Sequence, residues 1–340
     1  MTWTVTRFSI PLRHPRALGT DLPERNGFLL EVRDEDGLVG RGEASPPYWI
    51  DRCDLDALGR ELAGFAATRG RGDAALEVDD EGTRDSLSPA ATCAVETALL
   101  DLEARRRACS VAELLGAELP ATLEIGALVG GDGPSDVHAQ ALERLHRGFR
   151  VLKLKVGGRG AAQEIERIRA LRDAARGTAG IRLDANRAWD AATALEVLRA
   201  VADCGIEMVE EPLRDSPAPE LARLRRETGV PIALDESVTD HRAMETFAER
   251  GACDVVVLKL ARLGGPRSAL AMAHRARELG FDVAWTDSIE TRVGRQATLH
   301  AAAAGPGARR AVGLGGAAIL LEPGEGEACA RLDVRGPGLG

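Results

Sequence analysis

The chain has 340 residues, enough for a large barrel or for a barrel with a modest second domain. With 44% hydrophobic and 29% charged residues it reads as soluble and globular, and no apolar run reaches the roughly 20 residues of a membrane helix. A net charge of −9 argues against a general nucleic-acid surface, while a local cationic pocket for an anionic ligand stays compatible with it.

The N-terminus, Met1 to Phe8, alternates like a strand and lacks the basic start and apolar core of a signal peptide. Six scattered cysteines without a Cys-x-x-Cys pair indicate neither a zinc site nor a disulfide framework, so the expectation is a reduced, cytoplasmic protein. Gly27 to Val32 and Leu38 to Gly40 read as a hairpin across Asp34-Glu35-Asp36-Gly37. From about 54 to 116 the pattern turns helical, clearest where Val95, Ala98, Leu99 and Leu102 recur at i, i+3, i+4 and i+7. The run Arg105-Arg106-Arg107 at the end of this stretch is read as a solvated face that suits the helix dipole rather than as a phosphate site. Strands first and helices after make this block an α+β unit.

After about residue 120, short apolar strands alternate with helical stretches. Lys155, Asp184, Glu210, Asp235 and Lys259 close successive strands at steps of 24 to 29 residues, the length of one βα unit. With Leu123 to Gly126 before them and Ala311 to Leu314 after them, about eight strands are expected. That number favours closure into a barrel over a doubly wound open sheet. Both architectures place chemistry at the C-terminal strand ends.

Asp184, Glu210 and Asp235 would aim three carboxylates at one point, where they repel unless a divalent cation joins them. Oxygen donors without histidine or cysteine suit Mg²⁺, with Mn²⁺ as a substitute, better than Zn²⁺. Any one acid alone is more simply a helix cap. Three in register, flanked by lysines, are not explained by capping. Lys153 and Lys155 lie two apart on a strand and share a face, at this strand end the barrel interior, while Lys259 comes from the far side. Burial among other cations lowers an ammonium pKa toward the range a general base needs.

Lys153-Leu154-Lys155-Val156-Gly157, Asp184-Ala185-Asn186-Arg187-Ala188-Trp189, Glu210-Glu211-Pro212, Asp235-Glu236-Ser237 and Lys259 through Gly264-Gly265 resemble, in this order, the motifs of the enolase superfamily, in particular its muconate-lactonizing subgroup. The resemblance spans nearly the whole chain. It implies an α/β fold, a (β/α)7β TIM-like barrel with an N-terminal α+β capping domain completed by the C-terminal tail, divided at 1–118, 119–316 and 317–340. It further implies that Asp184, Glu210 and Asp235 bind the metal, that Lys155 and Lys259 flank a small carboxylate substrate, and that Lys153 helps to hold its carboxylate. Cap segments 19–25 and 45–51 are the candidates to close over the mouth. Asn186, Ser288, Gly315 and Arg262 are the candidate substrate-binding residues. Neither nucleic acid nor a membrane is expected as partner, and homo-oligomerisation stays open.

The expected chemistry is proton abstraction next to a carboxylate, with the metal stabilising the charge that forms. Arg25 to Leu30, Gly40 to Pro46, Ala94 to Leu102 and Asp287 to Thr291 are similar to o-succinylbenzoate synthases, the lyases that perform the dehydration step of menaquinone synthesis. That similarity implies that Lys155 takes the proton and delivers it to the departing hydroxyl, with Lys259 as a stabilising cation. An N-succinylamino acid racemase fits Arg262, three residues after Lys259, and a muconate-type cycloisomerase fits the run from Lys259 to Arg267. Dipeptide epimerases carry an Asp-x-Asp on the eighth strand, where this chain has Val312-Gly313-Leu314-Gly315-Gly316. A non-catalytic binding protein is disfavoured by the retention of every acid and lysine.

Overall fold

The computed structural model describes residues 1–12, 23–47, 53–69, 86–118, 121–306, 310–315, 330–334 and 336–340. Three antiparallel strands open the chain, β1 (Thr2–Pro11), β2 (Glu24–Arg33) and β3 (Val39–Ala44). The expected β2–β3 hairpin forms, and its turn is set by local chemistry. Asp34 Oδ1 accepts from Leu38 N at 2.9 Å, and Gly37 takes a φ of 83° that costs glycine nothing in Cβ contacts.

Helices α1 (Leu55–Arg69), α2 (Pro89–Arg106) and the short α3 (Val111–Leu114) follow. The apolar period predicts one buried face on α2, yet every residue from Ala90 to Leu102 is buried. One face packs on the cap sheet so closely that a Cβ on Gly42 would lie 1.8 Å from Ala94 O. The polar face meets the rest of the molecule, where Glu96 accepts from Arg267 N at 2.7 Å and Asp101 from Leu339 N at 2.8 Å. Arg105, Arg106 and Arg107 pair with Asp101, Asp34 and Glu103 at 3.0, 2.9 and 2.6 Å.

The second part begins with β4 (Ala121–Glu124) and then a parallel sheet of β5 (Ala127–Val129), β6 (Val151–Lys155), β7 (Gly180–Asp184), β8 (Ile206–Glu210), β9 (Ile232–Leu234), β10 (Val255–Leu258) and β11 (Asp282–Trp285), in that order. Helices alternate with them: α4 (Pro134–His146), α5 (Ala161–Ala175), α6 (Ala191–Ala200), α7 (Ala218–Thr228), α8 (His241–Arg250), the short α9 (Leu260–Leu263), α10 (Pro266–Glu278) and α11 (Arg292–Ala304). Residues 311–314 close the ring. Val312 N donates to Glu124 O at 2.8 Å, Gly126 N to Val312 O at 2.9 Å and Gly313 N to Trp285 O at 2.8 Å. This closing strand is held by isolated bridges on both sides, and a Cβ on Gly313 would lie 2.5 Å from Thr286 Oγ1. The fold is the TIM-like barrel with a capping domain that the sequence motifs imply. Among the described residues no helix is long and apolar enough to cross a membrane.

One expectation needs adjustment. Leu123 belongs to β4, which pairs antiparallel with β12 (Arg331–Val334), and the chain enters the barrel at residues 124–126, which bond the closing strand just before β5. The cap segments 19–22 and 48–51 lie outside the described residues. Past β12 the chain reaches the cap helices, where Gly338 N donates to Cys109 O at 2.9 Å.

Candidate active site

Strand periodicity sends every second residue inward, so the barrel interior carries Met208, Ala233, Val255, Val257 and Ala284 on one side. On the other lies buried Arg182, which donates to Glu207 at 3.0 Å and to Ala311 O at 2.8 Å. The same alternation brings the charged residues to the C-terminal end. Lys155, Asp184 and Glu210 are the last residues of β6, β7 and β8, paired across the sheet in register, and Asp235 and Lys259 directly follow β9 and β10.

Lys153 Nζ lies 2.8 Å from Asp184 Oδ2 and 2.7 Å from Glu210 Oε2, bridging the two acids. Lys155 Nζ is 2.7 Å from the same Asp184 oxygen and also donates to Asn186 Oδ1. Across the mouth, Lys259 donates to Asp235, and Arg262 Nη1 reaches Asp235 Oδ1 at 3.2 Å. Lys153, Lys155, Asp184, Asn186 and Lys259 line a cavity, together with Ser288 and Gly315. Glu210 and Asp235 stand behind the lysines, and Arg262 lies outside the cavity lining against Asp235 and Glu236 O.

The electrostatics differ from the expectation of lowered lysine pKa values. Burial works to lower those of Lys153 and Lys259, but the Asp184, Glu210 and Asp235 charges outweigh it and both are raised. Burial opposes ionisation of Asp184 and Asp235, yet their lysine partners hold both low. Glu210 goes the other way, pushed up to about 7 by burial and by the Asp184 anion beside it.

Among the described residues no group of three His, Cys, Asp or Glu side chains stands close enough to form a finished metal cage, since the lysines separate the acids. The donor chemistry nevertheless fits a hard divalent cation. The acids are all oxygen donors, and Glu210 Oε1 is buried with no hydrogen-bond partner.

Residues in and around the motifs, most of them not marked as functional in the sequence, hold this site in shape. Buried Glu211 accepts from Asp235 N at 3.0 Å, Ser237 N at 2.7 Å and Ser216 Oγ at 2.7 Å, fixing the end of β9. Asn186 Nδ2 donates to Glu236 Oε1 at 3.2 Å, which turns the amide oxygen toward Lys155. Behind β6, Arg167 donates to Lys155 O at 3.2 Å and Glu164 accepts from Gly157 N at 2.9 Å. Asp287 also lines the cavity; burial pushes it up to about 6 and leaves one oxygen without a partner. Glu211 and Glu236 sit next to the metal-candidate acids, and that adjacency was the available signal.

Residues 4–116 match the family described as mandelate racemase / muconate lactonizing enzyme, N-terminal domain, and residues 136–326 match the enolase C-terminal domain-like family. Muconate cycloisomerase 1 of Pseudomonas putida is 31% identical over 286 residues, covering 80% of this chain and 75% of that protein. The L-Lys-D/L-Arg epimerase of Methylococcus capsulatus is 32% identical over 308 residues, covering 88% and 85%. In structure, the dipeptide epimerase of Enterococcus faecalis V583, complexed with Mg and the dipeptide L-Leu-L-Tyr, superposes with a TM-score of 0.90 at 28% identity, over all of this chain and 98% of that one.

Proposed function

The chain belongs to the mandelate racemase / muconate lactonizing enzyme family of the enolase superfamily, and on that premise we propose that it removes the proton next to the carboxylate of a small molecule, with Mg²⁺ as cofactor, and completes a dehydration of the o-succinylbenzoate synthase type. The observation that carries this reading is the pair of cavity-lining lysines, Lys155 on β6 and Lys259 after β10, four strands apart around the ring, with three buried carboxylates beside them. In it, residues 1–118 cap the barrel of 119–316, and 317–340 return to the cap.

Asp184, Glu210 and Asp235 would hold the Mg²⁺, which would supply positive charge against the negative charge developing on the substrate carboxylate. Lys155 is the general base. It touches one carboxylate and one neutral amide, whereas Lys153 touches two carboxylates. Its amine takes the α-proton; as the C–O bond breaks, the same ammonium returns that proton to the departing hydroxyl, which leaves as water. Lys259 faces the developing anion from the opposite side as a fixed cation, and Lys153 holds Asp184 and Glu210 together. Asn186, Ser288 and Gly315 line the space where the rest of the substrate lies, and Arg262 supports Asp235. Gly313 and Gly315, both in the cavity wall, place no carboxylate on the eighth strand, which suits a substrate without an α-ammonium group.

A second reading, racemisation or epimerisation, is favoured by Asp287, a cavity-lining carboxylate able to meet a cationic group, and by the names of the epimerase relatives. The test is turnover of 2-succinyl-6-hydroxy-2,4-cyclohexadiene-1-carboxylate with and without Mg²⁺, beside deuterium exchange into N-succinyl amino acids and dipeptides. Fast Mg²⁺-dependent dehydration is the expected result. Exchange without dehydration would keep the proton chemistry and transfer the function to racemase or epimerase. Lactone formation from muconate in the same assay would point to a cycloisomerase.

A further inference from the structure

The joint between cap and barrel contains a buried arginine that the proton chemistry does not use. Arg25 stands at the start of β2 with none of its surface exposed. Its guanidinium donates to two carbonyls of the loop after β11, Ile289 O at 3.0 Å and Ser288 O at 3.2 Å. It also donates to two carbonyls of the cap, Pro46 O at 2.9 Å and Ser45 O. A planar fork reaches both segments at once, which a point-like ammonium does not.

The loop that Arg25 holds is strained. Ile289 has a φ of 63°, a left-handed conformation that a β-branched residue avoids and that persists only where surrounding contacts over-determine it. Ile289, Ser288 and Pro47 all line the cavity, and Ser288 Oγ is buried with no hydrogen-bond partner. The far end of the loop is pinned by the cap residue Glu43, which accepts from Thr291 N at 2.9 Å, Thr291 Oγ1 at 2.6 Å and Gly294 N at 2.9 Å, at the first turn of α11.

We propose that Arg25 is a positioning residue for substrate selection: by bonding the carbonyls of Ser288 and Ile289 it holds Ile289 in its left-handed conformation, which keeps the Ser288 hydroxyl and the Ile289 side chain in place on the cavity wall. The inference rests on the reading of that cavity as the substrate site. When Arg25 is lost, the Ile289 peptide relaxes toward an unstrained conformation and both side chains turn, while Lys155 and the three acids, held by their own strands, stay in position. Substrate affinity then changes more than the chemical step.

The test uses the full chain with Mg²⁺ and the variants Arg25→Met, Arg25→Lys and Ile289→Gly, singly and combined. Amide exchange over residues 286–294, read by mass spectrometry, reports the loop whichever reaction the enzyme runs. Turnover of the cyclohexadiene carboxylate, or of an N-succinyl amino acid if that is the substrate processed, reports KM and kcat. The expected result for both Arg25 variants is at least tenfold faster exchange and at least tenfold higher KM, with kcat within threefold of the parent. In the Ile289→Gly background, where the left-handed φ carries no strain, the effect of Arg25→Met on exchange should shrink below threefold. Unchanged exchange and KM in a folded Arg25→Met protein would overturn the proposal, as would a lower melting temperature accompanied by a fall in kcat alone. Should Arg25→Met not fold, Arg25→Lys decides on the same two readouts. If the parent enzyme turns over none of these substrates, the proposed function fails, and the exchange arm still decides whether Arg25 positions the loop.

Discussion

Lys155 is the residue on which the proposed chemistry depends most, and the assignment can be checked without knowing the final substrate. Lys155→Ala should lower turnover or α-proton exchange by about 10³-fold or more, while Mg²⁺ affinity measured by calorimetry stays within about threefold, because a general base contributes to the rate and not to the metal's donor set. Retention of most activity would remove Lys155 from the role. A second residue, His300 on α11, ties barrel to cap by accepting from Ala112 N at 3.0 Å through Nδ1, and burial pushes it down to about 4. The unfolded chain protonates this imidazole below about pH 6.5 and the folded chain only below about 4, so its contribution is complete above pH 6.5 and is lost as the pH falls through that window. The loss amounts to about 3 kcal/mol at the acid end. Urea unfolding at pH 7.5 and pH 4.5 should show this slope in the parent and a flatter one in His300→Asn.

At the scale of elements, the tightest packing in the cap is the approach of β3 to α2. Gly42→Ala would drive a methyl group to 1.8 Å from Ala94 O, and neither the strand nor the helix backbone can yield freely. The expected cost is about 1–3 kcal/mol, read as a lower urea midpoint at unchanged slope. An unchanged midpoint would mean that the two elements slide apart easily. The α2 helix also marks a limit of pattern reading. Its apolar period is visible in the sequence, but the burial of Glu96 and Asp101 is not, because their partners Arg267 N and Leu339 N come from far along the chain. The strand ends were the opposite case. A repeat of about 25 residues and a side-chain period of two are local properties, and they placed Lys155, Asp184, Glu210, Asp235 and Lys259 at one end of the barrel in advance.

For the molecule as a whole, metal binding at the candidate site would couple folding to ligand concentration. Mg²⁺ at about 100 times its dissociation constant should add about 2.7 kcal/mol of stability, seen as a rise in melting temperature that EDTA reverses and that Glu210→Gln abolishes. Absence of any Mg²⁺-dependent shift in the parent protein would count against the carboxylate trio as a metal site. Sequence alone pointed to an α/β barrel whose strand ends carry acids and lysines, because hydrophobic periodicity and repeat length act within short windows, and the resemblance of its ordered motifs implied the cap. Only the tertiary structure decided that Lys153 joins Asp184 to Glu210, that β4 pairs with β12, and that Arg25 reaches the carbonyl of Ile289 from 264 residues away. Each of these is a contact between segments that no local pattern relates, and it exists only once the ring has closed and the cap has docked on its mouth.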